Sequence, residues 1–224
     1  MRYLISTHPQ GTPEWHQDRL GKVTGSAVDA VFSTVKSGEA AARADYRTQL
    51  VRERINKKPQ PRGYISKDMA WGTETEPMAR MAYEAERGIA VEESGFLYLP
   101  DIAAGCSVDG LFTEGGRRGF WEAKCPKPKT HWKYLMDGKL PEAYRPQVTH
   151  NFWITGADFA EFASYDPDLP DELQLVIVRV ERDEAAINAH AAAVLQFLKE
   201  VERDEREVLQ VLAKKRSERV AVPA

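Results

Sequence analysis

Between residues 95 and 125 the chain strings together three short apolar or alternating runs, GFLYLP, CSVDGLFTE and GFWEAKC, with turn residues between them. Runs of this length bounded by turn residues predict strands. Helical patterns lie on both sides: residues 40–56 and WGTETEPMARMAYEAERG before, THWKYLMDG and EAYRPQVTHNFWIT after. Two more strand runs follow, DFAEFASYD and ELQLVIVRVE, the second apolar enough to predict a central position. A long helix is expected from about Asp183, with Ile187, Val194, Leu198, Val201, Val208 and Leu212 among its apolar positions. Helices before, between and after strands predict an α/β fold, a central mixed β-sheet flanked by helices on both faces. A chain of 224 residues suffices for one such domain, expected to span 1–224 with N-terminal helices and the long C-terminal helix.

Local signals sharpen this outline. TPEWHQDRLGKVTGSAVDAVF reads as two short helices broken around Gly21 to Gly25. In WGTETEPMARMAYEAERG, Met78, Met81, Ala82 and Ala85 form an apolar stripe, and Gly88 fits a C-terminal cap. Proline belongs in a first turn, so Pro77 predicts a helix beginning near Thr73 to Thr75, with Glu76 at its N-terminal end. GGRRG reads as a hairpin loop, and KKPQPRG as a mobile basic loop.

Composition excludes several classes. At 42% hydrophobic and 29% charged, the chain folds on a real core. No stretch approaches the roughly 20 apolar residues of a membrane span. MRYLISTHPQGT lacks the apolar core of a signal peptide, so a cytoplasmic location is expected. Cys106 and Cys125 cannot make a disulfide framework or supply the four thiolates of an iron–sulfur cluster. A net charge of −3 argues against a protein that coats nucleic acid, yet a local basic channel remains open to it. Basic residues cluster at Arg52, Arg54, Lys57, Lys58 and Arg62, and again at Arg117 and Arg118, while EVERDERE is acidic.

The chemistry is concentrated in the three strand runs. Alternation along GFWEAKC sends Phe120, Glu122 and Lys124 to one face and Trp121, Ala123 and Cys125 to the other. Asp109 ends the preceding strand, where Gly110 frees the backbone. Pairing through the hairpin lets Asp109 meet Glu122 at one edge of the sheet. Two carboxylates in one cleft raise each other's pKa unless a cation neutralises them. Oxygen ligands beside a spare lysine suit Mg²⁺ or Mn²⁺, which polarises a phosphate and acidifies a bound water. The lysine can orient or deprotonate that water, or offset phosphate charge. An ordinary ion pair on a hairpin fits the same spacing.

SVDG followed by EAKCP resembles the core of the PD-(D/E)xK nuclease superfamily. The chain is more closely similar to the phage lambda exonuclease family of recombination nucleases. The similarity runs through WHQDRLGKVTGS, WGTETE, SVDG, EAKCP, YRPQVTHNFW, YDP and VIVRVER, in order along nearly the whole chain. It implies a restriction-endonuclease-like core. It also implies a Mg²⁺-dependent 5′→3′ exonuclease on linear double-stranded DNA that releases mononucleotides and leaves 3′ single-stranded tails. By this resemblance Asp109, Glu122 and the Ala123 carbonyl bind metal at a two-metal site, Mn²⁺ substituting for Mg²⁺. Lys124 activates the attacking water and Glu76 is a further acid. Arg19, Ser26, Ser107 and Gln147 hold the terminal 5′-phosphate. The resemblance further implies a homotrimeric ring around DNA, a single-strand annealing protein as partner, and a phage or prophage origin in a bacterial host. An endonuclease on the same fold is the alternative. Val108 stands where the family has proline before the Asp, and Arg117 and Arg118 lengthen the hairpin. Trp15, His16, Trp71 and Trp153 are expected to pack structurally, Cys125 to be a small buried residue, and His150 to be a core or surface histidine.

Overall fold

The computed structural model describes residues 3–59 and 67–220. In chain order the elements are β1 (Leu4–Ile5), α1 (Pro13–Asp18), β2 (Val23–Thr24), α2 (Ala41–Asn56), α3 (Lys67–Arg87), β3 (Leu97–Tyr98), β4 (Ala104–Cys106), β5 (Gly110–Glu114) and β6 (Arg117–Lys124). Then come α4 (Pro128–Asp137), α5 (Arg145–Thr155), β7 (Phe159–Tyr165), α6 (Asp171–Gln174), β8 (Leu175–Glu181) and α7 (Glu184–Val220). A 3-10 helix, Gly25–Phe32, follows β2, so the segment read as two helices around Gly21 to Gly25 holds a helix, a short strand and a 3-10 helix. Arg62 and most of KKPQPRG lie outside the described residues.

Where one central sheet was expected, the described strands form two mixed sheets of four, ordered β1-β3-β4-β2 and β5-β6-β7-β8. CSVDGLFTE is divided between them: β4 belongs to the first sheet and β5 to the second, and Asp109 occupies the crossing. The second sheet separates two cores. Phe120, Ala160 and Phe162 face one, shared with α2, α5 and α7; Trp121, Ala123, Phe159 and Ala163 face the other, beneath α3. This is the alternation expected for GFWEAKC, with a core on each side. Every residue of β7 is buried, so β7 is the interior strand. β8, expected at the centre, is an edge strand whose Arg179 and Glu181 side chains pair along its exposed side. A run of valines marks β propensity, not position in the order.

The hairpin turn is tighter than GGRRG suggested. Only Gly115 and Gly116 make it, both at positive φ, and Arg117 and Arg118 already belong to β6. Arg117 pairs with Glu181 at 2.5 Å, and Arg118 Nη2 donates to the Gly156 carbonyl at 2.9 Å. The two arginines fasten the hairpin to its neighbours. Gly110 is required for space: a Cβ there would lie 1.7 Å from Val91 Cγ1.

α3 departs most from expectation. It starts by Lys67, so Pro77 lies inside it and Glu76 is mid-helix, not at the N-terminal end. Proline has no N–H for the turn before it, and packing overrides that loss: Thr75, Ala79 and Tyr83 form the buried stripe. Met78 and Met81, expected to be buried, are exposed. α7 begins as expected, with Asp183 Oδ1 accepting from the backbone N–H groups of Ala185 and Ala186. Its first half is buried through Ile187, Val194, Leu198 and Val201, whereas Val208 is exposed. Arg43, Arg47 and Arg54 of α2 pair with Glu200, Asp204 and Glu205 of α7, so much of EVERDERE is a helix-to-helix seam. Trp153 is a core residue, Trp71 is exposed, and Cys125 is half-buried.

His150 is fully buried. Its Nδ1 lies 3.0 Å from His190 Nε2, and its Nε2 3.1 Å from the Gly105 carbonyl oxygen. Burial, reinforced by His190, pushes His150 down to about 3; burial pushes His190 down to about 4. In the unfolded chain both titrate near 6.5. Between those values only the unfolded chain takes up the protons. The stabilisation is therefore complete above about pH 6.5 and is lost as pH falls towards the folded values. At pH 5 the loss is roughly 2 kcal/mol per ring. Going from pH 7.5 to pH 5 should lower the urea midpoint of the parent relative to that of His150→Gln/His190→Leu, because the other titrating groups are common to both.

Candidate active site

The acidic centre forms at the C-terminal end of β6, where α3 approaches from one face of the sheet and α5 from the other. The antiparallel register pairs Gly110 with Trp121, which sets Asp109 opposite Glu122. Asp109 Oδ2 accepts the Ala123 backbone N–H at 2.7 Å. Lys124 Nζ donates to Glu122 Oε1 at 2.6 Å, and sits 5.4 Å from the centre of the Tyr144 ring. Glu122 is 1% exposed. Two side chains of α5 complete its shell: Gln147 Nε2 donates to Oε1 at 2.5 Å, and Asn151 Nδ2 to Oε2 at 3.0 Å.

Electrostatics bind these groups into one unit. Burial, then the Asp109 and Glu76 charges, raise Glu122 to about 7, against the pull of Lys124. Burial and Asp109 likewise raise Glu76 to about 7. Asp109 is raised by burial, opposed by Lys124 and the Ala123 N–H. Burial works against the Lys124 charge, but Glu122 and Asp109 outweigh it and hold its pKa above the ordinary lysine value. Glu76 lines two clefts at once. One, about 890 Å³, opens beside Asp109 towards residues 6–10; the other, about 620 Å³, is bounded by Lys124, Trp71 and Tyr144.

Among the described residues, no three His, Cys, Asp or Glu side chains are drawn together closely enough to hold a metal ion as they stand. Lys124, Gln147 and Asn151 occupy the Glu122 oxygens instead. The donor chemistry nonetheless fits a hard cation. Asp109, Glu122 and Glu76 repel one another in a mostly buried setting, and a cation relieves what raises their pKa values.

A second cluster grows from the other sheet. β2 and β4 run parallel, with Val23 beside Ala104 and Thr24 beside Gly105. β2 gives way to the 3-10 helix at Gly25 and β4 ends at Cys106, so Ser26 and Ser107 each lie just past the end of one of these paired strands. Arg19, just past α1, donates from Nη2 to Ser26 Oγ at 3.2 Å, and Trp15 Nε1 donates to Ser107 Oγ at 3.2 Å. The guanidinium lies over the Trp15 ring at 4.0 Å and near the Phe96 ring at 5.5 Å. Among the described residues no carboxylate forms an ion pair with it, and the Glu53 charge acts on it from farther off. Burial lowers its pKa, and it remains a cation. Arg19, Ser26 and Ser107 are thus brought together as expected from the sequence. Gln147 directs its amide at Glu122 instead. Asn151 escaped the sequence reading, although its position one turn after Gln147 on a helix was the available signal. Trp15, expected only to pack, also orients Ser107.

The two mixed sheets flanked by helices are a restriction-endonuclease-like fold. Residues 14–158 match the YqaJ-like viral recombinase domain, and the chain belongs to that lambda exonuclease-like family. Among solved structures it is similar to LHK-Exo in complex with dAMP, with 36% identity and a TM-score of 0.82 over 91% of this chain and 99% of that one. The same alkaline exonuclease, from Laribacter hongkongensis, is matched in a second crystal structure with a TM-score of 0.80, at 36% identity over the same shares of both chains. A phage-related exonuclease from Haemophilus somnus 129PT shares the fold at 15% identity, with a TM-score of 0.61 over 84% of this chain and 96% of that one. No curated protein sequence matches the chain. No helix among the described residues is long and apolar enough to cross a membrane.

Proposed function

We propose that this protein is a Mg²⁺-dependent exonuclease that degrades the 5′-terminated strand of linear double-stranded DNA. Family membership and the alkaline exonuclease relative support DNA exonuclease chemistry. One observation carries the finer reading: the Arg19 guanidinium, without an ion-paired carboxylate among the described residues, sits with Ser26 and Ser107 in a cradle suited to a terminal phosphate. Ser107 and Asp109 are two residues apart. The cradle and the acidic centre are therefore neighbours along the short segment that links β4 to β5. A 5′-phosphate seated on Arg19 would bring the next phosphodiester to Asp109, Glu122 and Lys124. Each cut would then release one mononucleotide, which agrees with the relative's capture of dAMP.

Asp109, Glu122 and the Ala123 carbonyl would hold the metal, with Glu76 a further acid beside it. Bound there, the metal would supply Lewis acidity at the phosphate and a more acidic water. Lys124, held as a cation by its carboxylates, offsets phosphate charge and orients the attacking water. Gln147 holds Glu122 with one amide N–H and has a second to offer the phosphate. A trimeric ring around the duplex and an annealing protein receiving the 3′ tail complete the proposal. Linear and covalently closed circular duplexes, each incubated with the protein and Mg²⁺, test it. The linear form should be consumed from its 5′ ends while the closed circle persists; rapid cutting of the circle would establish an endonuclease instead.

A further inference from the structure

Asn151 is fully buried and directs its Nδ2 donor at Glu122 Oε2. A carboxylate accepts only from the NH₂ side of an amide, so the Asn151 oxygen must turn the other way. There, Oδ1 is buried and has no hydrogen-bond partner. It faces Gly25, where a Cβ would lie only 2.6 Å from it. Gly25 directly precedes Ser26, whose hydroxyl accepts from Arg19. One side chain therefore abuts the backbone of the anion cradle and holds a carboxylate of the acidic centre.

We propose that Asn151 is a positioning residue that couples the seating of a 5′-phosphate to the orientation of Glu122. The inference rests on the DNA-end reading of the two centres. A phosphate drawn onto Arg19 and Ser26 acts on the backbone at Gly25. Gly25 meets the Asn151 amide, and the amide sets Glu122 Oε2. The unpaired oxygen matters because no donor anchors that end: contact with Gly25 on one side and the bond to Glu122 on the other hold the group. A shift of either is passed to the other. The absence of a side chain at residue 25 is what lets the two centres approach so closely.

Asn151→Ala, Gly25→Ala and Ser26→Ala/Asn151→Ala are compared with the parent on duplexes bearing 5′-phosphate or 5′-hydroxyl ends. Asn151→Leu, close in volume but without the donor, and thermal melts separate a fold effect from a lost hydrogen bond. Both single alanine variants should lower kcat by about 10- to 100-fold, as removal of an outer support of a ligand does, with KM altered by less than about threefold. Both should shrink the advantage of a 5′-phosphate, and the loss in the double variant should be smaller than the sum of the losses in Asn151→Ala and in Ser26→Ala measured alongside it. Mn²⁺ titration by calorimetry without DNA should show affinity weakened about 10-fold in Asn151→Ala. An active parent whose Asn151→Ala variant keeps kcat within about twofold overturns the coupling. So does a fall in kcat with the 5′-phosphate advantage intact, which would leave Asn151 a local prop for Glu122. A parent that hydrolyses no DNA overturns the nuclease reading and the coupling with it.

Discussion

Replacing Lys124 with alanine is expected to slow phosphodiester hydrolysis by about 10³-fold while sparing the affinity for a duplex end. Lys124 is the cation inside an otherwise acidic group, and its charge is held by Glu122 and Asp109. Those contacts keep it beside the place where charge would develop on the scissile phosphate. The proposed 5′-phosphate cradle is built at the end of α1, in the 3-10 helix and just past β4, and keeps its own hydrogen bonds without Lys124. Single-turnover digestion of a 5′-labelled duplex measures the first effect, and fluorescence anisotropy of the same duplex with Ca²⁺ measures the second. Lys124→Met preserves the length of the side chain and should behave alike. A variant retaining more than about a tenth of the parental rate would remove Lys124 from the mechanism.

Arg19→Ala should act differently. A charge-assisted hydrogen bond contributes about 1.5–3 kcal/mol, so the rate on 5′-phosphorylated duplex should fall by about 10- to 100-fold. The rate on a 5′-hydroxyl end should hardly change, because there is no phosphate for the guanidinium to hold. The ratio of the two rates is the measurement. Equal losses on both ends would mean that Arg19 serves the fold through its stacking on Trp15 instead of the substrate. Arg19→Lys keeps the charge but not the planar fork, and should recover only part of the difference.

Much of this centre was legible before any tertiary contact was known. Strand alternation along GFWEAKC is a property of the backbone, so Glu122 and Lys124 had to share a face. A short glycine turn leaves little choice of register, and Asp109 falls opposite Glu122 as a result. Other expectations failed for equally physical reasons. Pro77 reads locally as a helix start, yet α3 runs through it because Ala79 and Tyr83 bury against the sheet. Met78 and Met81 form a stripe in sequence, but the partner surface lies on the other side of the helix. The valines of β8 indicate a strand without indicating which strands lie beside it.

Local chemistry and chain periodicity determined the strand that carries Glu122 and Lys124 and the hairpin that presents Asp109, whereas Arg19, Ser26, Ser107 and Gln147 came from the family resemblance. The strand and the hairpin depend on neighbours a few residues apart. Only the tertiary structure decided that β2 and β4 run parallel and that Ser26 meets Arg19 while Ser107 meets the Trp15 on which Arg19 stacks. Only it showed that Glu76 reaches the acidic centre from mid-α3, and only it placed Asn151 between Glu122 and Gly25. These juxtapositions join segments that are dozens of residues apart. They follow from how whole faces pack, which no local pattern encodes.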